Sequence, residues 1–164
     1  MSDHDPAGTS LDKSAAFWLS EVRDTHAKLL IAIGDLARLT AGPPPQKHAL
    51  VDTRWRLSSA SLARRLLWGR IHAFLSRDPI QDCDDDLRNL QQRDIELLRA
   101  STQHVTRWTT DEVLADWQGY CEASDAMRQK MIDAIMHEKQ LLYPILSRLT
   151  GTSLQDGCGR NGAP

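Results

Sequence analysis

Apolar residues recur at spacings of three and four positions along nearly the whole chain, and no segment shows the alternation that is typical of a half-buried strand. Clear chain breakers divide this pattern into four segments, at about 11–39, 46–76, 82–108 and 109–149. Proline-containing stretches at 41–45 and 77–79 separate the first three segments, because proline lacks the backbone donor that a helix interior requires. The pattern predicts an all-α protein with four long helices.

Polar residues mark the expected starts of these helices. Ser10 is the predicted N-cap of the first helix, with Asp12 in its first turn. The acidic run at 82–86 is predicted to begin the third helix, where carboxylates stabilise the positive end of the helix dipole. It lacks the spacing and the turn glycine of a calcium loop. In the fourth segment the stretch TTDE, residues 109–112, supplies a capping threonine followed by acids.

The end of the fourth segment and the chain termini define the expected domain. We expect the helix to stop at Gly151, and Pro144 either to kink it or to break it before a final short turn. Residues 1–9 and 152–164 are predicted to be disordered tails. Short connections force neighbouring helices to run in opposite directions, so residues 10–151 are predicted to form an antiparallel up-down-up-down four-helix bundle.

Ionisable residues interrupt the apolar stripes of all four predicted helices: His26, Arg64, Asp94, Arg128 and Glu138. An unpaired charge facing the bundle axis would cost several kcal/mol, roughly, so we expect these groups to pair or to bind a ligand. One interpretation is a structural network in which the two carboxylates accept from Arg64, Arg128 and His26. The other is a carboxylate–histidine metal site in the bundle core. Because cations are unfavourable beside a metal, the two arginines favour the network.

Composition narrows the possible partners. The formal net charge of −2 gives no electrostatic reason to expect nucleic acid, and no apolar run approaches the about 18 residues of a membrane span. The N-terminus is polar and acidic, unlike a signal peptide. The odd set of cysteines has no metal or redox spacing and fits a reducing compartment: Cys83, Cys121 and Cys158. We therefore expect a cytoplasmic protein with neither a nucleic-acid nor a membrane partner.

Catalytic patterns are missing from the sequence. No serine or cysteine has a nearby base in a recognisable arrangement, and no phosphate-binding loop or nucleophile elbow is present. These observations favour a non-enzymatic role.

Two short motifs, DTHAKLL in the first predicted helix and HEKQLLYPIL in the fourth, resemble segments of the hemerythrin-like family of cation-binding four-helix proteins. DTHAKLL, residues 24–30, is similar to the first-helix histidine segment of that family and places His26 at a metal-ligand position. HEKQLLYPIL, residues 137–146, is similar to its closing motif, a His-Glu-Glu run ahead of Leu-Phe-Pro. By this resemblance Glu138 stands where a bridging carboxylate would stand. The resemblance implies a hemerythrin-like bundle with non-haem iron as the possible cofactor.

Several positions depart from the family pattern. Ala134 stands where a histidine is usual, and Lys139 replaces the second glutamate of the closing motif. The second helix offers His72 without the accompanying carboxylate, and Asp94 stands in the neighbourhood of the missing third-helix histidine. The candidate metal ligands are therefore His26 and Glu138, with Asp94 and His72 as substitutes. A di-iron centre requires more ligands than these, so a metal-free core is an equally good expectation.

Two functional hypotheses follow. The first is a hemerythrin-like protein with a degraded or altered di-iron site and a regulatory, sensing or binding role. The second is a metal-free protein–protein interaction module, either a regulator or a homodimeric scaffold, with a salt-bridged polar core. Trp55, Leu62 and Leu66 lie outside the main apolar stripe of the second helix and indicate either a second packed face or a dimer seam.

Overall fold

The computed structural model describes residues 14–77 and 84–155 of the chain. Within these ranges it contains no strand, and the predicted all-α class is confirmed. Its five helices are α1 (Ala15–Thr40), α2 (Lys47–Leu75), α3 (Asp84–Arg107), α4 (Thr110–Ala115) and α5 (Trp117–Gln155). None of these helices is long and apolar enough to cross a membrane. Residues 152–155, predicted to belong to the C-terminal tail, are part of α5, so this part of the prediction is wrong. Outside the described residues lie the Ser10 cap, Cys83, Cys158, the tail at 1–9 and the rest of the C-terminal tail at 156–164.

The first helix begins later than the sequence pattern predicts. Ser14 has an extended backbone, with φ −66° and ψ 159°, and its side-chain oxygen accepts a hydrogen bond from the backbone N–H of Phe17 at 3.3 Å. An N-cap residue has this conformation because its side chain satisfies one of the free donors of the first turn. α1 therefore begins at Ala15, and the predicted start at about position 11 is wrong.

The fourth predicted segment is divided into two helices, which corrects the expected single helix over 109–149. The predicted cap is confirmed: the Thr109 hydroxyl accepts from the backbone N–H of Glu112, and the Glu112 carboxylate accepts from that of Thr109. At Asp116 the backbone leaves the helical region, with φ −135° and ψ 72°. The Asp116 side chain accepts from the backbone N–H of Gly119 at 2.9 Å and so caps the start of α5.

Neither Pro144 nor Gly151 ends the last helix. α5 continues through both residues to Gln155, so the predicted stop at Gly151 is wrong and, of the kink or break expected at Pro144, the break does not occur. Leu142, Ile145 and Leu146 are buried on either side of Pro144, which is itself exposed. Packing on both sides of the proline therefore outweighs the loss of one backbone hydrogen bond.

The buried core consists of three apolar clusters stacked along the helices. The first cluster joins the start of α1, the end of α2, the start of α3 and the later part of α5. The second cluster contains Leu29, Ile33 and Met131. The third cluster contains Leu50, Val113 and Tyr120. α1 and α3 meet these clusters in this order along the sequence, whereas α2 and α5 meet them in the reverse order. The closest helix packing is that of α1 against α2 and α5, and of α3 against α5.

The cap at Asp116 makes a testable contribution to stability. Replacing Asp116 by alanine leaves the Gly119 N–H without its acceptor, and we expect the free energy of unfolding to fall by about 1 kcal/mol, whereas Asp116→Asn should retain most of the stability. Urea denaturation followed by circular dichroism measures this difference. Glu21→Ala, on the exposed face of α1, is the control; an equal loss in both alanine variants would contradict a capping role.

Candidate functional site

Four ionisable side chains from four helices meet in the core. His26 comes from α1, Arg64 from α2, Asp94 from α3 and Glu138 from α5. Arg64 and Glu138 are each 3% exposed and His26 is 0% exposed, while Asp94 is half-buried. The interrupted apolar stripes predict that these four residues face the core. They predict the same for Arg128, which is described separately below. The helical period places each on the inner face of its helix, and the helix packing brings them to one level.

Arg64 is the centre of this group. One of its terminal nitrogens donates to Oε1 of Glu138, and the other donates to Oδ1 of Asp94. The two nitrogens of one planar guanidinium thus serve two carboxylates on two different helices, a geometry that lysine cannot reproduce. The arrangement satisfies a buried positive charge whose burial would otherwise cost several kcal/mol, roughly.

His26 occupies the second oxygen of Glu138. The distance from His26 Nε2 to Glu138 Oε2 is 2.7 Å, which is typical of a hydrogen bond to a carboxylate. Because a carboxylate only accepts, Nε2 carries the donated hydrogen. Glu138 is therefore held from both sides, by His26 of α1 and by Arg64 of α2.

Tyr143 completes the chain of contacts and was not anticipated as a site residue. Its hydroxyl lies 3.0 Å from His26 Nδ1, and the two rings stack with centroids 5.7 Å apart. With neutral His26, the hydroxyl donates to Nδ1. Burial raises the pKa of Tyr143 and nearby Glu138 adds to the effect, while Arg23, 5.3 Å from the ring centre, opposes it. The signal in the sequence is the tyrosine at position 143 of the motif HEKQLLYPIL, next to its proline.

Arg128 lies at another level of the core. It donates to the Thr40 hydroxyl at 3.0 Å, to the Ser124 hydroxyl at 2.9 Å and to the Asp125 carboxylate at 2.9 Å. It makes no contact with Glu138, ten positions further along α5, about 15 Å along the helix axis. The structure therefore separates Arg128 from the polar network in which the sequence analysis grouped it.

His72 is also apart from the network. It lies eight positions beyond Arg64 on α2, about 12 Å along the axis, and its ring packs edge-on against Trp68 with centroids 5.7 Å apart. The structure does not bring this candidate substitute ligand to His26 and Glu138.

The donor set does not fit a di-iron centre. His26, Glu138 and Asp94 are the available ligands, but the Arg64 guanidinium lies between the two carboxylates and takes an oxygen of each. Ala134 and Lys139 supply no ligand. In the part of the chain that the structure describes, no group of three or more His, Cys, Asp or Glu side chains is arranged to hold a metal ion. In this structure ion pairs and a hydrogen bond join the four side chains.

No protein-family model, curated protein or solved structure matches this chain.

The network should show strong energetic coupling between its members. Arg64→Met leaves two carboxylates without their cation, and we expect it to lower the free energy of unfolding by about 3 kcal/mol or more. We expect a similar loss for Glu138→Met, because it leaves the Arg64 guanidinium with one carboxylate partner fewer. The double variant Arg64→Met, Glu138→Met should be much more stable than the sum of the single losses predicts. Urea denaturation of all four proteins in the cycle provides the coupling energy.

The exposed pair Asp24 and Lys28 on α1 provides the matched cycle, since its nitrogen and oxygen are 2.6 Å apart but both side chains are in solvent. Its coupling energy should be far smaller. Additive effects of the Arg64 and Glu138 substitutions would contradict the network.

Proposed function

We propose that this chain is a hemerythrin-like four-helix bundle in which a salt-bridge network stands in place of a metal centre, and that it acts as a protein-interaction module rather than as an enzyme. The bundle topology is supported by the alternating order in which α1, α2, α3 and α5 meet the three core clusters. This order is what an up-down-up-down arrangement produces. In this proposal α4 is a short capping helix at the bundle end.

The observation that carries the proposal is the position of Arg64. Its guanidinium supplies a fixed positive charge to Glu138 and Asp94, in a core where the resemblance would put metal cations. A metal at the same carboxylates would have to displace that guanidinium and leave it buried without a partner. Since a buried unpaired charge is strongly unfavourable, the network opposes metal binding as long as Arg64 keeps its place.

The second candidate is an altered iron site with a sensing or regulatory role. The specific observation in its favour is the buried contact between His26 and Glu138, the two residues that best match the family motifs. In this alternative Arg64 moves aside and Asp94 becomes a further ligand. The two candidates differ in whether iron binds, which elemental analysis measures directly.

The outer face of α2 supports an interaction role. Trp55 is 66% exposed and Leu66 is 57% exposed, and Val51 and Leu62 are also exposed. At 100° per residue these four side chains fall within a narrow stripe on the side of α2 away from the buried residues. An apolar stripe of this kind on a surface helix is typical of a contact with another helix.

A second copy of this chain fits the stripe. Asp52 and Arg70 lie beside it, about five helical turns apart and thus on the same flank. Both are exposed. When two α2 helices pair in opposite directions about a point near residue 61, Asp52 of each copy meets Arg70 of the other, and Trp55 meets Leu66. This self-complementarity is the requirement for a two-fold symmetric interface.

Metal content tests the first part of the proposal. We expect protein purified without an affinity tag, under low oxygen and after incubation with Fe(II), to contain far less than one iron per chain, and its thermal unfolding midpoint to be unchanged by EDTA. His26→Ala and, as a control, the exposed His48→Ala should have the same low metal content. One iron or zinc per chain that is lost in His26→Ala alone would instead establish the second candidate.

A charge swap tests the second part. We expect the wild-type chain to be dimeric by sedimentation, and Asp52→Arg or Arg70→Asp alone to weaken the dimer because like charges would then face each other. The double variant Asp52→Arg, Arg70→Asp should restore it. Ile31→Glu, which places a charge on the exposed face of α1, is the control and should have no effect. A monomer at all concentrations, or loss of the dimer in the control, would overturn this interface.

A further inference from the structure

A cavity lies between α2 and α3 and reaches inward to α5, about two helical turns from Glu138. Its free internal volume is about 50 Å³, and it meets solvent near Ser58 and Val105. We propose that this cavity binds a small organic monocarboxylate, with the carboxylate beside Arg54 and Arg128 and a short alkyl chain against Leu57, Met127 and Met131. This site is separate from the salt-bridge network and from the outer stripe of α2.

The cavity exists because small side chains occupy core positions at this level. Ser61 of α2, Ser101 of α3 and Ser124 of α5 all line it. Ser61 lies between Leu57 and Arg64 on the inner face of α2, and Ser101 follows Leu97 by one turn on α3. Because a serine side chain is smaller than that of leucine, facing serines leave space that larger side chains fill in the neighbouring layers. Their hydroxyls also make the space partly polar.

The charge of the lining favours an anion. Arg54 and Arg128 line the cavity, and no aspartate or glutamate does. Arg54 donates to the Trp108 carbonyl at 2.5 Å, and its guanidinium lies 5.6 Å from the centre of the Tyr120 ring. No carboxylate among the described residues pairs with Arg54, so its charge is balanced only by a carbonyl and an aromatic face. A ligand carboxylate would provide the partner that the chain itself does not.

His104 lies in the lining of the cavity with the two arginines. Burial lowers the pKa of His104, and Arg54 and Arg128 lower it further. The imidazole is therefore neutral at pH 7 and can donate a hydrogen bond without adding a third cation. Burial also raises the pKa of Tyr120, whose ring is 5.9 Å from that of His104, so its hydroxyl stays protonated as a possible donor.

The size and the remaining walls define the ligand class. Leu36, Leu57, Met127 and Met131 form the apolar part of the lining. Methionine side chains are flexible and fit ligands of irregular shape. A cavity that binds benzene, a ligand of six heavy atoms, has a volume of about 150 Å³, so about 50 Å³ encloses roughly two to four heavy atoms, and the rest of a ligand lies in the opening to solvent. Acetate, propionate and butyrate share the carboxylate and differ in the length of chain that extends from this space.

Titration by two-dimensional NMR tests the proposal. Backbone amide shifts of the full chain are followed with acetate, propionate and butyrate, with inorganic phosphate and butanol as comparisons. We expect butyrate to bind most tightly, with a Kd on the order of 1 mM, and to shift residues around His104 and Ser124. Butanol, which has the chain without the charge, and phosphate, which has the charge without the chain, should each bind at least about tenfold more weakly.

Two variants make the test specific to the cavity. Ser101→Leu fills the space and should abolish the butyrate shifts, whereas Thr102→Leu, which places a leucine on the exposed side of α3, should leave them unchanged. Arg54→Gln keeps a donor for the Trp108 carbonyl but removes the charge, and should weaken butyrate binding about tenfold, whereas Arg99→Gln should not.

Two results with the variants would overturn the proposal. One is butyrate shifts that persist in Ser101→Leu, which would place the binding elsewhere. The other is equal binding of butyrate by wild type and Arg54→Gln, which would remove the reason for a carboxylate. Should Ser101→Leu fail to fold, as judged by circular dichroism, the comparison of Arg54→Gln with Arg99→Gln decides alone. No shift with any of the three acids up to 50-fold above about 1 mM would also exclude the site.

Discussion

The buried guanidinium of Arg64 is the constraint on which the core depends. A charge in this position must be paired, and its partners come from two other helices, Asp94 of α3 and Glu138 of α5. Glu138 in turn accepts from His26 of α1. A shift of any one of these helices by one turn, about 5.4 Å, would separate donors from acceptors. The network therefore links the relative heights of four helices, which apolar contacts alone specify less strictly.

The apolar clusters and the polar network contribute differently to the fold. Apolar burial is non-directional, so the clusters on both sides of the network supply most of the driving force without selecting one register. The network stabilises little in net terms, because burying its charges is costly. We infer that its main effect is to make other registers unfavourable. Leu142 belongs to the apolar cluster on one side of the network and Leu29 to the cluster on the other side. This arrangement is consistent with separate roles for the apolar clusters and the polar network.

The sequence predicted which residues face the core, since the helical period fixes the direction of each side chain around its helix. His26, Arg64, Asp94 and Glu138 could therefore be identified as inward-facing before their contacts were known. The period does not fix height relative to another helix, which is why Arg128 was grouped with this network although it contacts Thr40 and Ser124 instead. The role of Tyr143 depends on one hydroxyl at the edge of the stripe, a detail that periodicity does not contain.

The helix ends were predicted less well, because local and tertiary effects compete there. At Asp116 a side-chain cap starts a new helix inside a continuous apolar pattern, and at Pro144 packing keeps a helix intact across a residue that usually ends one. The sequence also shows which core positions lack a large apolar side chain, and these positions determine local properties of the core.

Such positions occur in two kinds in this core, and they lead to different properties. Where the replacements are ionisable, as at Arg64 and Glu138, the side chains fill the space and satisfy one another. Where they are serines, as at Ser61 and Ser101, they leave a cavity whose lining includes two arginines and no acid. The first kind is closed to further partners by its own hydrogen bonds, and the second is open to an anion. Because the two lie at different heights, none of the four network side chains lines the cavity, and the proposed ligand would contact none of them.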